Sequence, residues 1–329
     1  MFLSFLLTFT TFLLTAQDAI FTQYHRAPLH LSPTNAGLRD APEVTINYRY
    51  QWNTDVSAGR FHTARMGFNL PIILKSGNRI GLGGDAKTDR SVGTSYRDQG
   101  VALSGNYQYR LFASEVISHW LIGGIRAGYF QQKIDFDNLR WGNQNQNGSF
   151  NPNLPNGEDL PNQKNYFDLG IGFSYKASFD NGQFIQVGFS SFHLNKPSIS
   201  FDDTNPEKFT LPTRQHLFVT GRWGMGEKLF WLPRAMAMIQ GDRSFMDLGS
   251  ELEVSLGKGS IIGGFGFRVA ENFDTSFNLS DLIFSLGFSV QRFTFAASYE
   301  MDASPEFVPR LDTRALEVAV VYRWAGRNF

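Results

Sequence analysis

The chain of 329 residues has no cysteine, no surplus of either charge and, beyond its first sixteen residues, no long apolar run. Without cysteine there is no disulfide framework, no thiolate metal site and no N-terminal lipid anchor. Lys plus Arg and Asp plus Glu stand at 30 each, so net charge points to no nucleic-acid partner and to no anionic surface. A membrane helix requires about 20 apolar residues. Only strands could carry the later chain through a bilayer. Catalytic signatures are missing as well: there is no GxSxG, no Walker loop, no GxGxxG, and none of the six histidines falls in HxxxH or HExxH spacing. Neither an enzyme centre nor a metal or cofactor is expected.

What is present begins with "MFLSFLLTFTTFLLTA", residues 1–16, an uncharged run of signal-peptide length with Ala16 placed for cleavage before Gln17. No Lys or Arg precedes it, and Leu14 stands where a small residue is usual. Residues 1–16 are therefore read as an export leader, 17–42 as an N-terminal periplasmic segment that can pack into a barrel mouth, and 43–329 as the barrel itself.

Period-two alternation fills the remainder. In "VALSGNYQYRL" Val101, Leu103, Tyr107 and Tyr109 share one face, and Ala102, Ser104, Asn106 and Gln108 the other. "DLIFSLGFSV" and "RFTFAASYEM" repeat the pattern. About fourteen such segments lie near residues 43–52, 60–72, 79–87, 97–111, 117–133, 164–177, 182–195, 212–224, 231–240, 244–256, 260–269, 278–290, 291–301 and 312–324. An even number of strands of this length predicts an all-β fold, a transmembrane antiparallel β-barrel of the outer membrane. Loop parity agrees: the long connections 88–96, 134–163, 196–211 and 302–311 follow odd strands, whereas "LGKGS" and the 290–292 junction follow even ones. Short periplasmic turns alternating with longer outer loops are the outer-membrane pattern. Tyr50, Trp52, Trp120, Trp231, Tyr322 and Trp324 near strand ends are read as an interfacial girdle, and the terminal Phe329 as an assembly signal.

The polar faces carry both charge signs. Arg49, Arg65, Arg126, Arg222, Glu251, Glu253, Arg268, Arg292 and Glu317 form a candidate lumenal charge network, with Asp85, Lys87, Asp168 and Glu300 on the same faces. Paired across neighbouring strands, and with inserted chain, they would obstruct the lumen instead of leaving an open pore.

"QDAIFTQYHRAPLHLSPTNAGL", Gln17 to Leu38, resembles the start of the PorP/SprF family of type IX secretion and gliding outer-membrane proteins of Bacteroidetes, with its pattern QDxxFSQYxxxPLxLNPAxAG. Gln17, Asp18, Phe21, Gln23, Tyr24, Pro28, Leu29, Leu31, Pro33, Ala36 and Gly37 match; Thr22, Ser32, Thr34 and Asn35 depart. "NYRYQW" is similar to the family's YRxQW, "GLGGDAKTDRSVG" to its glycine-rich hairpin and "SSFHLNKP" to its HLxxP element. In the long loop the family often has Asp-Pro, where this chain has "SFNPNLPNG". The resemblance implies a non-enzymatic outer-membrane component that assists export or surface retention of a secreted, adhesin-like protein bearing a type IX C-terminal domain. Its partners would be that cargo, other type IX components and outer-membrane lipid.

Partner contact is expected at Phe21, Gln23, Tyr24, Pro28, Pro33 and Gly37, and at Trp141 and Phe150 in the Asn- and Gly-rich long loop, because exposed aromatics favour interfaces. A barrel-mouth tether is the plainer reading of the first group, and a solvated loop that of the second. The competing function is a porin or transporter for a small solute.

Overall fold

A computed structural model describes residues 18–51, 60–91, 96–135, 139–146, 148–155, 157, 161–179, 182–202, 207, 209–271, 276–303 and 314–324. Residues 1–16, expected to be a leader, lie outside the described residues, as do Trp52 and Phe329.

Alternating side chains need a sheet with two different environments, and closing that sheet removes its edges. The chain does so with fourteen antiparallel strands: β1 Glu43–Gln51, β2 Phe61–Ile73, β3 Arg79–Ser91, β4 Arg97–Ala113, β5 Ile117–Lys133, β6 Gln163–Phe179, β7 Phe184–Phe192, β8 Arg214–Gly224, β9 Leu229–Gln240, β10 Arg243–Ser255, β11 Gly259–Glu271, β12 Phe277–Val290, β13 Phe293–Asp302 and β14 Ala315–Arg323. Each pairs with its sequence neighbours, and β1 closes onto β14 from Glu43 opposite Arg323 to Gln51 opposite Ala315. The fourteen expected strands are present.

The greasy faces point outward. Leu103, Ile125 and Leu286 are 72%, 69% and 73% exposed, as lipid-facing side chains of such a barrel must be. The inward faces are polar and buried: Arg49, Asp168, Glu251 and Glu317 are each at most 1% exposed. Such burial requires something to fill the lumen.

The filling is residues 18–38. A turn at Tyr24–Arg26, a single helical turn at Pro28–Leu31 and another at Pro33–Asn35 coil this stretch inside the strands. Pro28 and Pro33 each open a turn, where a missing N–H costs nothing. Phe21, Tyr24, Leu29 and Leu31 are at most 2% exposed. The sequence reading set the segment below the barrel or at its mouth; in the structure it lies along the lumen between the strands. Asp18 sits towards the end bearing the long connections, next to His193 and Arg214, and Leu38 towards the end bearing the short turns, where Lys176 donates to its carbonyl.

The long-loop end is partly covered by the chain itself. After β7 the backbone turns through left-handed conformations at His193 and Lys196, and Ser198 bridges to Thr210. Ile199 and Leu211 then pack with Phe130 and Tyr166. One connection at this end, after β9, is only the Gly241–Asp242 turn.

Candidate functional site

The contact between residues 18–38 and the barrel wall holds the densest polar chemistry of the described molecule. Its first part, residues 18–26, meets charged side chains. Glu317 accepts the backbone N–H groups of Thr22 (2.7 Å) and Gln23 (3.1 Å), and Glu300 accepts the Thr22 hydroxyl (2.7 Å). Arg49 clasps both oxygens of Glu300 at 3.2 Å and donates to Thr22 Oγ1 (2.7 Å). Arg26 reaches outward as a fork, its two terminal nitrogens 2.8 and 2.7 Å from the Glu251 oxygens. Such bidentate, charge-assisted pairs are the strong ones, and their geometry fixes position as well as energy. Arg268 continues the network to Asp247 (2.7 Å) and Glu300 (2.8 Å).

Asp18 ties down the start. Its carboxylate faces Lys87 (3.2 Å), Arg214 (2.9 Å) and His193 Nε2 (2.5 Å), while His193 Nδ1 faces Asp168 (2.8 Å). Burial alone would raise the Asp18 carboxyl, but Arg214, Lys87 and His193 outweigh it and hold it well below the ordinary carboxylate range. Burial likewise opposes charge on His193, yet Asp18 and Asp168 outweigh it and raise its pKa. The imidazolium is thus favoured between two carboxylates. His25 and His30 differ: burial first, then Arg26, takes His25 down to about 3, and burial with Arg214 and Arg65 lowers His30. Asp85 joins Arg65 (2.5 Å) to Arg126 (3.3 Å), and Arg126 joins Asp168 (3.0 Å). The cavity left beside Asp18, Phe21 and His30 measures about 20 Å³, little more than one water sphere.

The second part, residues 29–37, meets small and amide side chains. A Cβ on Gly83 would strike Leu29, one on Gly172 would strike Ser32, and one on Gly81 would strike the Ala36 carbonyl. Gly124 lies against Pro33 and Thr34 in the same way. The segment can lie this close to the wall only because these positions lack side chains. Asn106 Nδ2 donates to the carbonyls of Pro33, Thr34 and Ala36 (3.1, 3.1 and 2.7 Å), and Gln108 to that of Gly37 (3.1 Å). Gly37 ends the run at φ 54, a left-handed backbone that a Cβ would strain, with Leu70 O directly in its path.

The family model for the type IX secretion system membrane protein PorP/SprF matches residues 13–313. The chain belongs to this family. It is a membrane component of type IX secretion and an outer-membrane barrel. Among solved structures it is similar to a TodX monoaromatic hydrocarbon channel with the deltaS2S3 mutation, 8% identical over 90% of this chain and 94% of that one, with a TM-score of 0.52. The Ralstonia pickettii toluene transporter TbuX is 10% identical over 91% and 94%, with a TM-score of 0.48. The first likeness concerns fold alone. No curated protein matches the chain significantly.

The stretches that resemble the family converge on this contact. "QDxxF" supplies Asp18 and Phe21, "YRxQW" supplies Arg49, the glycine-rich hairpin supplies Gly81, Gly83, Asp85 and Lys87, and the HLxxP element supplies His193. Far apart in sequence, Arg49, Gly81, Gly83, Lys87 and His193 touch the one short segment that carries Asp18 and Phe21.

Phe21, Gln23, Tyr24, Pro33 and Gly37 are buried against the barrel's own wall and Pro28 is half-buried, so a partner reaches them only if the segment leaves the lumen. Trp141 and Phe150 stand half-buried in the long loop, where Arg140 lies 5.0 Å from the Phe150 ring. Arg49, Arg65, Arg126, Arg268, Glu251 and Glu317 face the lumen and are buried; Arg222 and Glu253 pair with each other (3.2 Å) nearer the short-turn end. Arg292 is different: the Gln291–Arg292 turn takes it off the strand, and it is exposed. Trp120 departs from the girdle reading. Strand parity sends it inward, 7% exposed, with Arg79 4.7 Å from its ring. His30, His216, Arg26 and Arg214 were missed as contact residues. A charge within the family-like N-terminal stretch, as at Arg26, was the available signal.

Proposed function

We propose that the barrel is a non-enzymatic accessory of type IX secretion and gliding that assists export or surface retention of a secreted protein bearing a type IX C-terminal domain, of the adhesin kind. On this reading residues 1–16 are an export leader, 17–42 the segment that seals the barrel, and 43–329 the barrel held in outer-membrane lipid. The filled lumen carries the argument. A solute transporter needs a path, and here the path is occupied by residues 18–38, held by the buried pairs Arg26–Glu251 and Asp18–Arg214, whose breaking would leave an uncompensated charge. In the lumen Arg65, Asp85, Arg126, Asp168, Asp247 and Arg268 are engaged with one another in pairs, which supports a structural role for them and none as acid, base or nucleophile.

Contact with cargo and with other secretion components is then left to the loops, including Trp141 and Phe150, and to the two rims. Deleting the gene tests the reading: one large surface protein should accumulate inside the cell while uptake of small solutes is unchanged. Normal surface display together with lost uptake of a solute would overturn it.

A further inference from the structure

Inside the lumen every guanidinium of the segment contact has carboxylates close by. At the short-turn end that balance fails. Lys176, on the lumen side of β6, has its ammonium 3.2 Å from the Leu38 carbonyl and no carboxylate within salt-bridge distance among the described residues. Arg323 and Arg39 share one carboxylate, Glu43, at 2.6 and 3.4 Å. The crowding is felt at Arg39, whose pKa is pulled down to about 10, first of all by the Arg323 guanidinium. Arg79 has Asp40 (2.5 Å), which is itself 55% exposed, and among the described residues Arg222 has only Glu253. Arg292 adds an exposed guanidinium in its turn. In sequence the adjoining turns add Lys75, Lys228 and Lys258 against Glu115, Asp180 and Glu227, so the turns balance and the excess lies with the strand and segment cations.

Two features make this more than scattered charge. The strand cations Arg79, Lys176, Arg222 and Arg323 lie at lumen-facing positions, the parity that also turns Glu43, Asp168 and Glu251 inward. They therefore surround the opening beneath the segment and turn away from the lipid headgroups outside. Rings also hold them in place: Arg222 lies 3.5 Å from the Phe230 centroid, Arg79 4.7 Å from Trp120, and Lys176 5.4 Å from Phe184. Positive charge set on stiff strand ends around an opening attracts and orients a negative partner.

We infer that Arg39, Arg79, Lys176, Arg222, Arg292 and Arg323 form a docking ring at the short-turn mouth for an acidic polypeptide segment, whose carboxylates complete the pairs that the barrel leaves short. In outer-membrane barrels short turns face the periplasm, so the partner approaches from there. The inference rests on the barrel and its orientation, not on the export role, and its failure leaves that role standing.

The test uses the full-length protein in nanodiscs of zwitterionic phospholipid, with a labelled poly-glutamate peptide as probe and poly-glutamine as control. Fluorescence anisotropy should show poly-glutamate binding that weakens as salt rises. The triple variant Lys176→Gln, Arg222→Gln, Arg292→Gln should bind it about tenfold more weakly or worse. Arg292→Glu alone, in an exposed turn where folding is not at stake, should weaken it in the same direction. A heat-shift gel checks that each barrel is folded. Equal binding of both peptides, or poly-glutamate binding indifferent to Arg292→Glu, overturns the inference. So does a variant that binds the peptide normally but loses co-purifying anionic phospholipid, since the cations would then serve headgroups.

Discussion

The two walls that grip the lumenal segment do so by different physics. Strands β10 to β14 and β1 meet residues 22–26 with charges, Glu251, Glu300, Glu317 and Arg49, which locate backbone N–H groups and the Arg26 fork to within hydrogen-bond tolerance. Strands β2 to β6 meet residues 29–37 with absence: Gly81, Gly83, Gly124 and Gly172 leave room, and Asn106 and Gln108 collect the carbonyls. A charged wall is specific but vulnerable, since removing one partner strands the others. A glycine wall is vulnerable only to bulk. Together they hold a stretch with little regular structure of its own in one position.

The contrast can be broken from either side. Arg49→Ala should have the largest effect: Glu317 stays buried with its cation gone and Glu300 is left with Arg268 alone, at a cost of about 3–5 kcal/mol. The urea midpoint of the folded band on a heat-shift gel reads it. Arg49→Lys should recover little, because a point charge cannot reproduce the guanidinium fork. On the opposite wall Gly81→Ala pushes a methyl into the Ala36 carbonyl, an overpacking of about 1–3 kcal/mol. It should appear as faster proteolysis of residues 18–38 with the barrel band intact. Asn106→Ala takes one donor from three carbonyls but leaves Gln108, so about 1–2 kcal/mol is expected in the same assay.

Much of this was legible in the sequence, for definable reasons. Strand positions were readable because a lipid-facing and a lumen-facing residue must alternate, and Val101 to Gln108 do so without interruption. Where a local feature decided the outcome, reading failed: the tight turn at Gln291–Arg292 takes Arg292 off the polar face, and strand parity, not proximity to an end, aims Trp120 inward. The segment's place could not be read. Thr22 meets Glu317 across 295 positions, a contact with no periodic trace. Only the coincidence of four family-like stretches hinted that Asp18, Arg49, Gly81 and His193 serve one purpose.

The smallest effects concern pH, and their sign separates the histidines. His25 and His30 are held neutral, below the ordinary 6.5, so their contribution is full above 6.5 and is lost as pH falls towards about 3 for His25. His193 is raised, so its contribution is full below 6.5 and is lost as pH climbs through its folded value. Asp18 is depressed and changes nothing between pH 5 and 8. Proteolysis of the segment should therefore speed up on acidification more steeply in His193→Gln than in the parent chain, and less steeply in His30→Gln. Gly81→Ala, acting through shape, should shift the rate without altering that slope.

The central claim is that residues 18–38 keep the lumen closed. Planar-bilayer recording of the purified barrel tests it most directly: the full-length protein should give no sustained conductance, and deletion of residues 18–38 should open steady channels in those barrels that still fold. Conductance of general-porin size from the intact protein would contradict it.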